Sequence, residues 1–160
     1  MPSSHKIYAL ILAFSIAAIA FALYLQHALH LEPCPLCIFQ RLAMISIAFI
    51  ALLATLHHPK ALGLRLYGLL LTLASLAGMG VATRHVWLQH LPADQVPSCG
   101  PGLNYMLDVF PMQKVISMVL RGSGECAKID WTLAGITLPE MTLVTFACLT
   151  LLGCYQMFRR

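Results

Sequence analysis

Long runs of hydrophobic residues alternate with more polar connections along this chain. The runs span about residues 7–25, 36–56, 62–85 and 140–158, and each contains about the 20 apolar residues that cross the hydrocarbon core of a bilayer. The connections at about 26–35 and 86–139 hold most of the prolines and acidic residues. The pattern predicts an all-α membrane protein, a four-transmembrane-helix bundle in which residues 1–160 form a single membrane domain.

A short amphipathic segment lies within the longer connection. Its apolar residues recur at helical spacing, polar residues occupy the opposite face, and Gly122 ends the pattern. The apolar positions are Met112, Val115, Ile116, Val119 and Leu120. Because the segment is too short to span a bilayer, we expect an interfacial helix on the membrane surface. The alternative is a helix that caps one end of the bundle.

The composition supports a membrane protein. Hydrophobic residues make up 59% of the chain and charged residues 10%, and the mean hydropathy is +0.80, values that a soluble domain does not need. The net charge of +4 is not gathered into a basic stripe. Nucleic acid is therefore not an expected partner, whereas membrane lipid is.

Basic residues predict the orientation of the bundle, because Lys and Arg near helix ends are retained on the cytoplasmic side. Basic residues lie near the two termini and in or beside the connection between the second and third runs, at Lys6, Lys60, Arg65, Arg159 and Arg160. The first connection contains neither Lys nor Arg. We therefore expect cytoplasmic N- and C-termini, with the connections at 26–35 and 86–139 on the outer side.

The six cysteines divide into two groups. Cys34, Cys37, Cys99 and Cys126 lie in or beside the two outer connections, and an oxidising compartment is where disulfides persist. The other two, Cys148 and Cys154, lie within the last apolar run. Their simplest interpretation is as small apolar packing residues.

The stretch EPCPLCIFQR at 32–41 places a Cys-x-x-Cys pair at the start of the second run. Proline suits the first position of a helix, so Pro35 predicts Cys34 as the N-cap and Cys37 in the first turn. The positive end of a helix and a nearby cation both stabilise a thiolate, and Arg41 lies about one turn beyond Cys37. Because a buried arginine is costly in a bilayer, we expect it to stabilise a thiolate or an anionic cofactor.

Other uses of a Cys-x-x-Cys pair fit less well. A structural zinc site needs four ligands, and the remaining outer cysteines are single and far apart, so no metal is predicted. Haem attachment needs a histidine directly after the second cysteine, and Ile38 stands there. A static disulfide remains open, although it gives no reason for the arginine one turn behind the pair.

These features together resemble the disulfide bond formation protein B (DsbB) family. The resemblance rests on LQHALHLEPCPLCIFQR, on the separated pair Cys99 and Cys126, on RHVWLQ at the end of the third run, and on four helices with both termini inside. It covers nearly the whole chain. It implies a quinone-dependent protein-thiol oxidoreductase of the bacterial inner membrane, with its redox loops in the periplasm.

The resemblance also implies roles for individual residues. Cys99 would exchange with a DsbA-like periplasmic thiol oxidant, and Cys126 would relay the electrons to Cys34. Cys37, beside Arg41, would then pass them to a membrane quinone, either ubiquinone or menaquinone. The reaction would sustain disulfide bond formation in other proteins.

His85 matches the family's quinone-site histidine by its place at the end of the third run. Arg84 and Trp87 are candidates for the mouth of the same site, although anchoring at the membrane interface is the favoured interpretation of Trp87. One departure is Gln40, where the family pattern suggests an acidic residue. It puts the identity of the partner in doubt more than the reaction.

Two rival hypotheses stay open. The first is a non-catalytic membrane assembly protein whose loops are joined by Cys34–Cys37 and Cys99–Cys126 disulfides. The second is a quinone-linked relative of vitamin K epoxide reductase, which is also a four-helix bundle. The early position of the Cys-x-x-Cys pair argues against the second.

Overall fold

The computed structural model describes residues 4–92, 94–98, 100, 103–129 and 131–158. Its long helices are α1 (Ser4–Ala28), α2 (Pro35–His57), α3 (Ala61–Gln89) and, at the end of the chain, α7 (Leu138–Phe158). The intervening segment contains α4 (Leu103–Val109), α5 (Met112–Arg121), α6 (Gly124–Ala127) and an antiparallel hairpin of β1 (Thr132–Leu133) and β2 (Ile136–Thr137). All four long helices are long and apolar enough to cross a membrane. The predicted four-helix membrane fold is confirmed.

Local sequence signals set the helix boundaries. As predicted, α2 begins at Pro35 with Cys34 as its N-cap, and the Cys34 sulfur accepts from the Cys37 backbone N–H. The start of α7 lies two residues before the predicted boundary, because the Glu140 carboxylate accepts hydrogen bonds from the backbone N–H (2.7 Å) and hydroxyl (3.1 Å) of Thr137. This is the glutamate half of a capping box. The third helix likewise extends past residue 85 to Gln89.

Helices α3 and α7 approach closely because small residues lie between them. A Cβ added at Gly68 would lie 2.8 Å from the Met157 backbone nitrogen, and one added at Gly153 would lie 3.0 Å from the Thr72 backbone nitrogen. Small residues permit such contact between membrane helices, where the lipid tails are as apolar as the side chains and packing supplies much of the attraction. The main core is completed by Tyr8, Ile11, Met44, Ile47, Leu71 and Phe146.

Helix α5 forms over the predicted amphipathic segment. Val115 and Val119 are 1% and 2% exposed, and they pack in a second cluster with Leu36 and Leu88 at the end of the bundle. Met112, Ile116 and Leu120 on the same helix are exposed. Part of the apolar face therefore caps the bundle, and the remainder is exposed where an interfacial helix would meet lipid.

Gly68→Ala should destabilise the bundle by about 1–3 kcal/mol, the usual cost of overpacking, because the new methyl group would meet the α7 backbone. Gly80→Ala is the matched control on the same helix, since a Cβ there meets nothing within 4 Å; this variant should keep or slightly raise stability. Thermal unfolding in detergent measures both. Equal unfolding temperatures for the two variants would contradict this account of the α3–α7 contact.

Candidate active site

The N-terminus of α2 meets the end of α3 at a cluster of two thiols and an imidazole. The Cys34 and Cys37 sulfurs lie 3.1 Å apart. His85 Nε2 is 3.7 Å from the Cys34 sulfur, and His85 Nδ1 is 4.0 Å from the Cys37 sulfur. Three of the residues predicted from the sequence are thus brought together, although 48 positions separate His85 from Cys37.

A buried polar chain continues from this cluster to α7. Gln40 Nε2 lies 3.1 Å from His85 Nδ1, and the Thr142 hydroxyl donates to Gln40 Oε1 at 2.7 Å. Gln40 and His85 are 6% and 3% exposed. In the sequence, Gln40 stood out only as a departure from the family pattern, and Thr142 was not among the predicted site residues. Its signal was weak, since a threonine near the start of an apolar helix commonly bonds to its own backbone, as Thr142 also does to the Pro139 carbonyl.

The Arg41 side chain reaches from α2 to α1. Its guanidinium donates to Gln26 Oε1 and to the Ala22 carbonyl oxygen, the second at 3.1 Å. These partners offset the cost of placing an arginine in a membrane-spanning helix. A guanidinium carries five N–H donors, so donors remain after both contacts are made. Arg41 is therefore anchored while keeping hydrogen-bonding capacity.

Both thiols, Arg41 and His85 line one cavity of about 360 Å³. Its walls come mainly from apolar side chains of α1, α2 and α7, including Phe14, Ile19, Met44, Met141 and Phe146. Trp131, which packs edge-on against Phe21 at 5.8 Å between ring centroids, also lines it. A mostly apolar cavity with a few polar groups is typical of a small-molecule site.

Cys126 lies in α6, next to the Cys34 end of α2. Its side chain is 1% exposed and belongs to the cluster against which Cys34 packs. A hydrogen bond with Cys34 and, secondarily, burial raise the pKa of the Cys126 thiol well above its ordinary value. The structure thus places Cys126 on the Cys34 side of the thiol pair.

Cys99 lies outside the described residues, but Ser98 and Gly100 both lie close to the start of α6. The Gly124 backbone N–H donates to the Ser98 carbonyl at 3.4 Å. A Cβ added at Gly100 would lie 3.8 Å from the Ser123 Cβ. Both contacts are made by residues that lie two or three positions before Cys126 in the chain, so Ser98 and Gly100 lie close to the start of α6.

Neither Arg84 nor Trp87 lines the cavity. The placement of Arg84 at its mouth is therefore wrong, and interfacial anchoring of the exposed Trp87 stays a prediction. Arg84 donates through Nε to the Leu120 carbonyl at 3.1 Å and through Nη2 to the Arg121 carbonyl at 2.8 Å. Its guanidinium also lies 4.1 Å from the centroid of the Trp87 ring. A cation that donates hydrogen bonds to the last carbonyls of a helix is favourable. Arg84 therefore holds the end of α5 against α3, and Trp87 packs against its guanidinium.

Three donor atoms of Cys34, Cys37 and His85 lie within 4.8 Å of one another, close enough to hold a metal ion. A closed structural zinc site takes four ligands. Within the described part of the chain the group contains no fourth Cys, His, Asp or Glu. The donor set is therefore better suited to thiol chemistry than to a closed zinc centre.

The two remaining cysteines lie away from this cluster. Cys148 is exposed on α7. Cys154 is half-buried, and its sulfur accepts from the Thr72 hydroxyl at 3.9 Å. Cys154 therefore occupies a packing position between α7 and α3 as expected, whereas the exposed Cys148 is not packed inside the bundle.

A membrane helix bundle that joins paired thiols, an imidazole and a third thiol beside an apolar cavity defines a membrane-embedded thiol–disulfide oxidoreductase. A sequence model of the family "Disulfide bond formation protein DsbB" matches residues 4–156. The chain is similar to disulfide bond formation protein B of Acinetobacter baumannii, at 54% identity over 151 residues, covering 94% of this chain and 88% of that protein. It is also similar to the protein of that name from Marinobacter nauticus, at 45% identity over 158 residues, covering 99% and 94%.

The chain therefore belongs to the disulfide bond formation protein DsbB family. It is a disulfide-generating oxidoreductase and a multi-pass membrane protein.

Removing Cys34 should make Cys126 more reactive toward a small alkylating agent at mildly alkaline pH. The hydrogen bond with Cys34 raises the pKa of the Cys126 thiol, and only the thiolate is alkylated. Cys34→Ala should therefore lower that pKa and speed alkylation, and the gain should shrink as the pH rises. The rate would be followed by mass spectrometry under reducing conditions, with the other four cysteines replaced.

Cys34→Ser is the matched control, because its hydroxyl retains a hydrogen-bonding group and most of the volume. It should change the alkylation rate less than Cys34→Ala. Identical rates in the two variants would show that burial, and not the contact with Cys34, controls the Cys126 thiol.

Proposed function

We propose that this protein reoxidises a soluble DsbA-like dithiol oxidase in the periplasm and passes the electrons to a membrane quinone. The observation that carries the proposal is the cavity that the Cys34–Cys37 pair shares with Arg41. One side of the pair is near Cys126 and the loop, and the other side opens to apolar space. This arrangement connects soluble thiols to a lipid-soluble oxidant.

The exchange begins on the loop cysteines. A thiolate of the reduced partner attacks Cys99 in a Cys99–Cys126 disulfide, which forms a mixed disulfide and releases Cys126 as a thiolate. The second thiol of the partner then attacks the partner's own sulfur in that mixed disulfide. The partner leaves with a disulfide, and Cys99 is released as a thiolate, so two electrons now reside on the loop pair.

The electrons next move to the pair on α2. Cys126 attacks Cys34 in a Cys34–Cys37 disulfide and expels Cys37 as a thiolate. Cys99 then attacks Cys126, which restores the loop disulfide and releases Cys34. The contact between Cys126 and Cys34 supports this order, because exchange requires the attacking sulfur to reach its target.

The cavity residues fit a quinone. The walls of the cavity are apolar, Arg41 retains N–H donors for an oxygen of the quinone ring, and His85 lines the same cavity. Gln89 also lines the cavity, and its Oε1 is a buried acceptor with no partner among the described residues. A bound quinone would accept two electrons and two protons from the reduced thiol pair and leave the Cys34–Cys37 disulfide.

We place the protein in the bacterial inner membrane with both termini in the cytoplasm. The basic residues at the termini and between α2 and α3 support that orientation. The end of the bundle that carries Cys34, Cys126 and α5 would then face the periplasm. The exposed apolar residues of α5 support its placement at the outer surface of the membrane.

A purely structural role for the disulfides accounts for less of the molecule. It would not require an arginine anchored inside the bundle or an apolar cavity that reaches both sulfurs. A direct assay separates the two functions. The purified protein would be mixed with a reduced DsbA-like partner and ubiquinone or menaquinone, and quinone absorbance would be followed.

Wild-type protein should consume quinone, and Cys37→Ser should abolish that consumption. Cys99→Ser should block oxidation of the partner, because electrons would no longer enter the loop pair. Cys148→Ala is the control, since that exposed cysteine lies outside the site; its rates should match wild type. Failure of wild type to reduce either quinone, or full activity of Cys37→Ser, would refute the oxidase function.

Arg41→Ala should raise the KM for quinone about tenfold to a hundredfold, because a charge-assisted hydrogen bond contributes about 1.5–3 kcal/mol. The first thiol exchange between the partner and Cys99, followed without quinone, should keep its rate. Gln26→Ala serves as the control, because it removes one of the two contacts of Arg41 with α1 and leaves the charge. An equal rise in KM for Gln26→Ala would mean that Arg41 acts through helix packing.

A further inference from the structure

We propose that Gln40 and Thr142 are positioning residues that fix the tautomer of His85, so that its Nε2–H is directed at Cys34. The inference rests on the proposed function for its catalytic meaning. The geometry that carries it lies entirely within the described residues. Three helices contribute one residue each, with Gln40 on α2, His85 on α3 and Thr142 on α7.

The chain of hydrogen bonds has a direction. The Thr142 hydroxyl has one proton and two acceptors within reach, Gln40 Oε1 at 2.7 Å and the Pro139 carbonyl at 2.9 Å. Donation along the shorter contact fixes the amide oxygen of Gln40 toward Thr142. The amide N–H₂ then faces His85 Nδ1 at 3.1 Å and can only donate to it.

An Nδ1 atom that accepts a hydrogen bond carries no proton in a neutral imidazole. The ring proton therefore resides on Nε2, which lies 3.7 Å from the Cys34 sulfur. The lone pair of Nδ1 is occupied by Gln40, which lies closer to it than the Cys37 sulfur at 4.0 Å. His85 is thus a hydrogen-bond donor to Cys34 and is prevented from acting as a base toward Cys37.

The consequence is a difference between the two sulfurs of one motif. When Cys99 attacks Cys126, negative charge develops on the departing Cys34 sulfur, and a fixed N–H donor stabilises it. Cys37 receives no such donor from His85 and shares the apolar cavity with Arg41. The tautomer of His85 would therefore make this residue a hydrogen-bond donor in the exchange between the loop cysteines and Cys34.

The burial of Gln40 and His85 favours a single tautomer of His85. An amide that must serve an acceptor on one side and a donor on the other is costly to reverse when the amide and the imidazole are buried, as those of Gln40 and His85 are. In the reversed orientation the amide N–H₂ would donate to the Thr142 oxygen, and His85 would carry its proton on Nδ1. The two orientations therefore predict opposite tautomers, and ring-nitrogen spectroscopy distinguishes them.

The test is ¹⁵N nuclear magnetic resonance of the full chain, reduced, in detergent, with histidine labelled at both ring nitrogens. His85→Phe assigns the His85 signals among the seven histidines. At mildly alkaline pH, where imidazole is neutral, wild type should show a protonated Nε2 and an unprotonated Nδ1. Thr142→Val removes the hydroxyl at nearly constant volume and should give a mixture of tautomers.

Thr150→Val is the matched control, because Thr150 lies on the same helix, donates to the Phe146 carbonyl of that helix and lies outside this hydrogen-bond chain. It should leave the His85 signals unchanged. Gln40→Glu is a second variant with a designed opposite effect, since a carboxylate accepts and cannot donate. It should place a proton on Nδ1. A wild-type spectrum with Nδ1 protonated, or a Thr142→Val spectrum identical to that of Thr150→Val, would overturn the inference.

A rate measurement adds the functional consequence. Thr142→Val should slow the attack of Cys99 on the Cys34–Cys126 disulfide, which releases Cys34, about tenfold in a quinone-free exchange assay, and Thr150→Val should not. An equal rate in the two variants would refute the catalytic meaning. Because neither readout uses quinone, failure of wild type to reduce quinone would refute the proposed function while leaving the tautomer result intact.

Discussion

The close contact between α3 and α7 is the constraint on which the site depends. Glycines allow the two backbones to approach at Gly68 and Gly153, and the Phe146 ring fills the space that a side chain at Gly78 would need. His85 lies further along α3, and Thr142 lies one turn before Phe146 on α7. The spacing between these helices therefore decides whether a single glutamine from α2 can bridge the two residues.

The bilayer adds a second constraint, because a polar group without a partner is costly in a medium without water. Each of the two polar side chains assigned to the proposed reaction is supported by another helix. Arg41 is supported by Gln26 and the Ala22 carbonyl of α1, and His85 is supported by Gln40. These contacts hold the helices together and also keep both side chains in the wall of the cavity that the thiols line. Folding and positioning are thus served by the same hydrogen bonds.

The sequence predicted the features that depend on local patterns. Four apolar runs gave the helices, and Pro35 gave the N-cap at Cys34, because helix starts follow rules that span a few residues. A capping box at Thr137 and Glu140 could also have been found in this way and would have moved the start of α7.

The remaining features depend on contacts between distant positions. Thr142 reaches Gln40 across 102 residues, and Arg84 reaches the end of α5 across 36. No spacing rule links such pairs, so Arg84 was assigned to the wrong surface. His85 was named as a site residue only because the family resemblance supplied it, and the structure places it beside Cys34 in the cavity. Long-range side-chain partners require the helix packing, which the periodicity of one helix does not define.

In the proposed exchange, the raised pKa of Cys126 bears on the direction of electron transfer from the loop cysteines to the pair on α2. Once Cys126 had joined Cys34, the Cys37 thiolate could attack Cys34 and expel Cys126, which would reverse the step. A thiol of higher pKa is the poorer leaving group, and burial is one cause of the raised pKa that does not depend on a free Cys34 thiol. Attack by Cys99 on Cys126 would instead expel Cys34, next to the His85 imidazole. Burial of Cys126 and the ring nitrogen near Cys34 would both favour release of Cys34, so the unequal surroundings of the two sulfurs support forward transfer in this scheme.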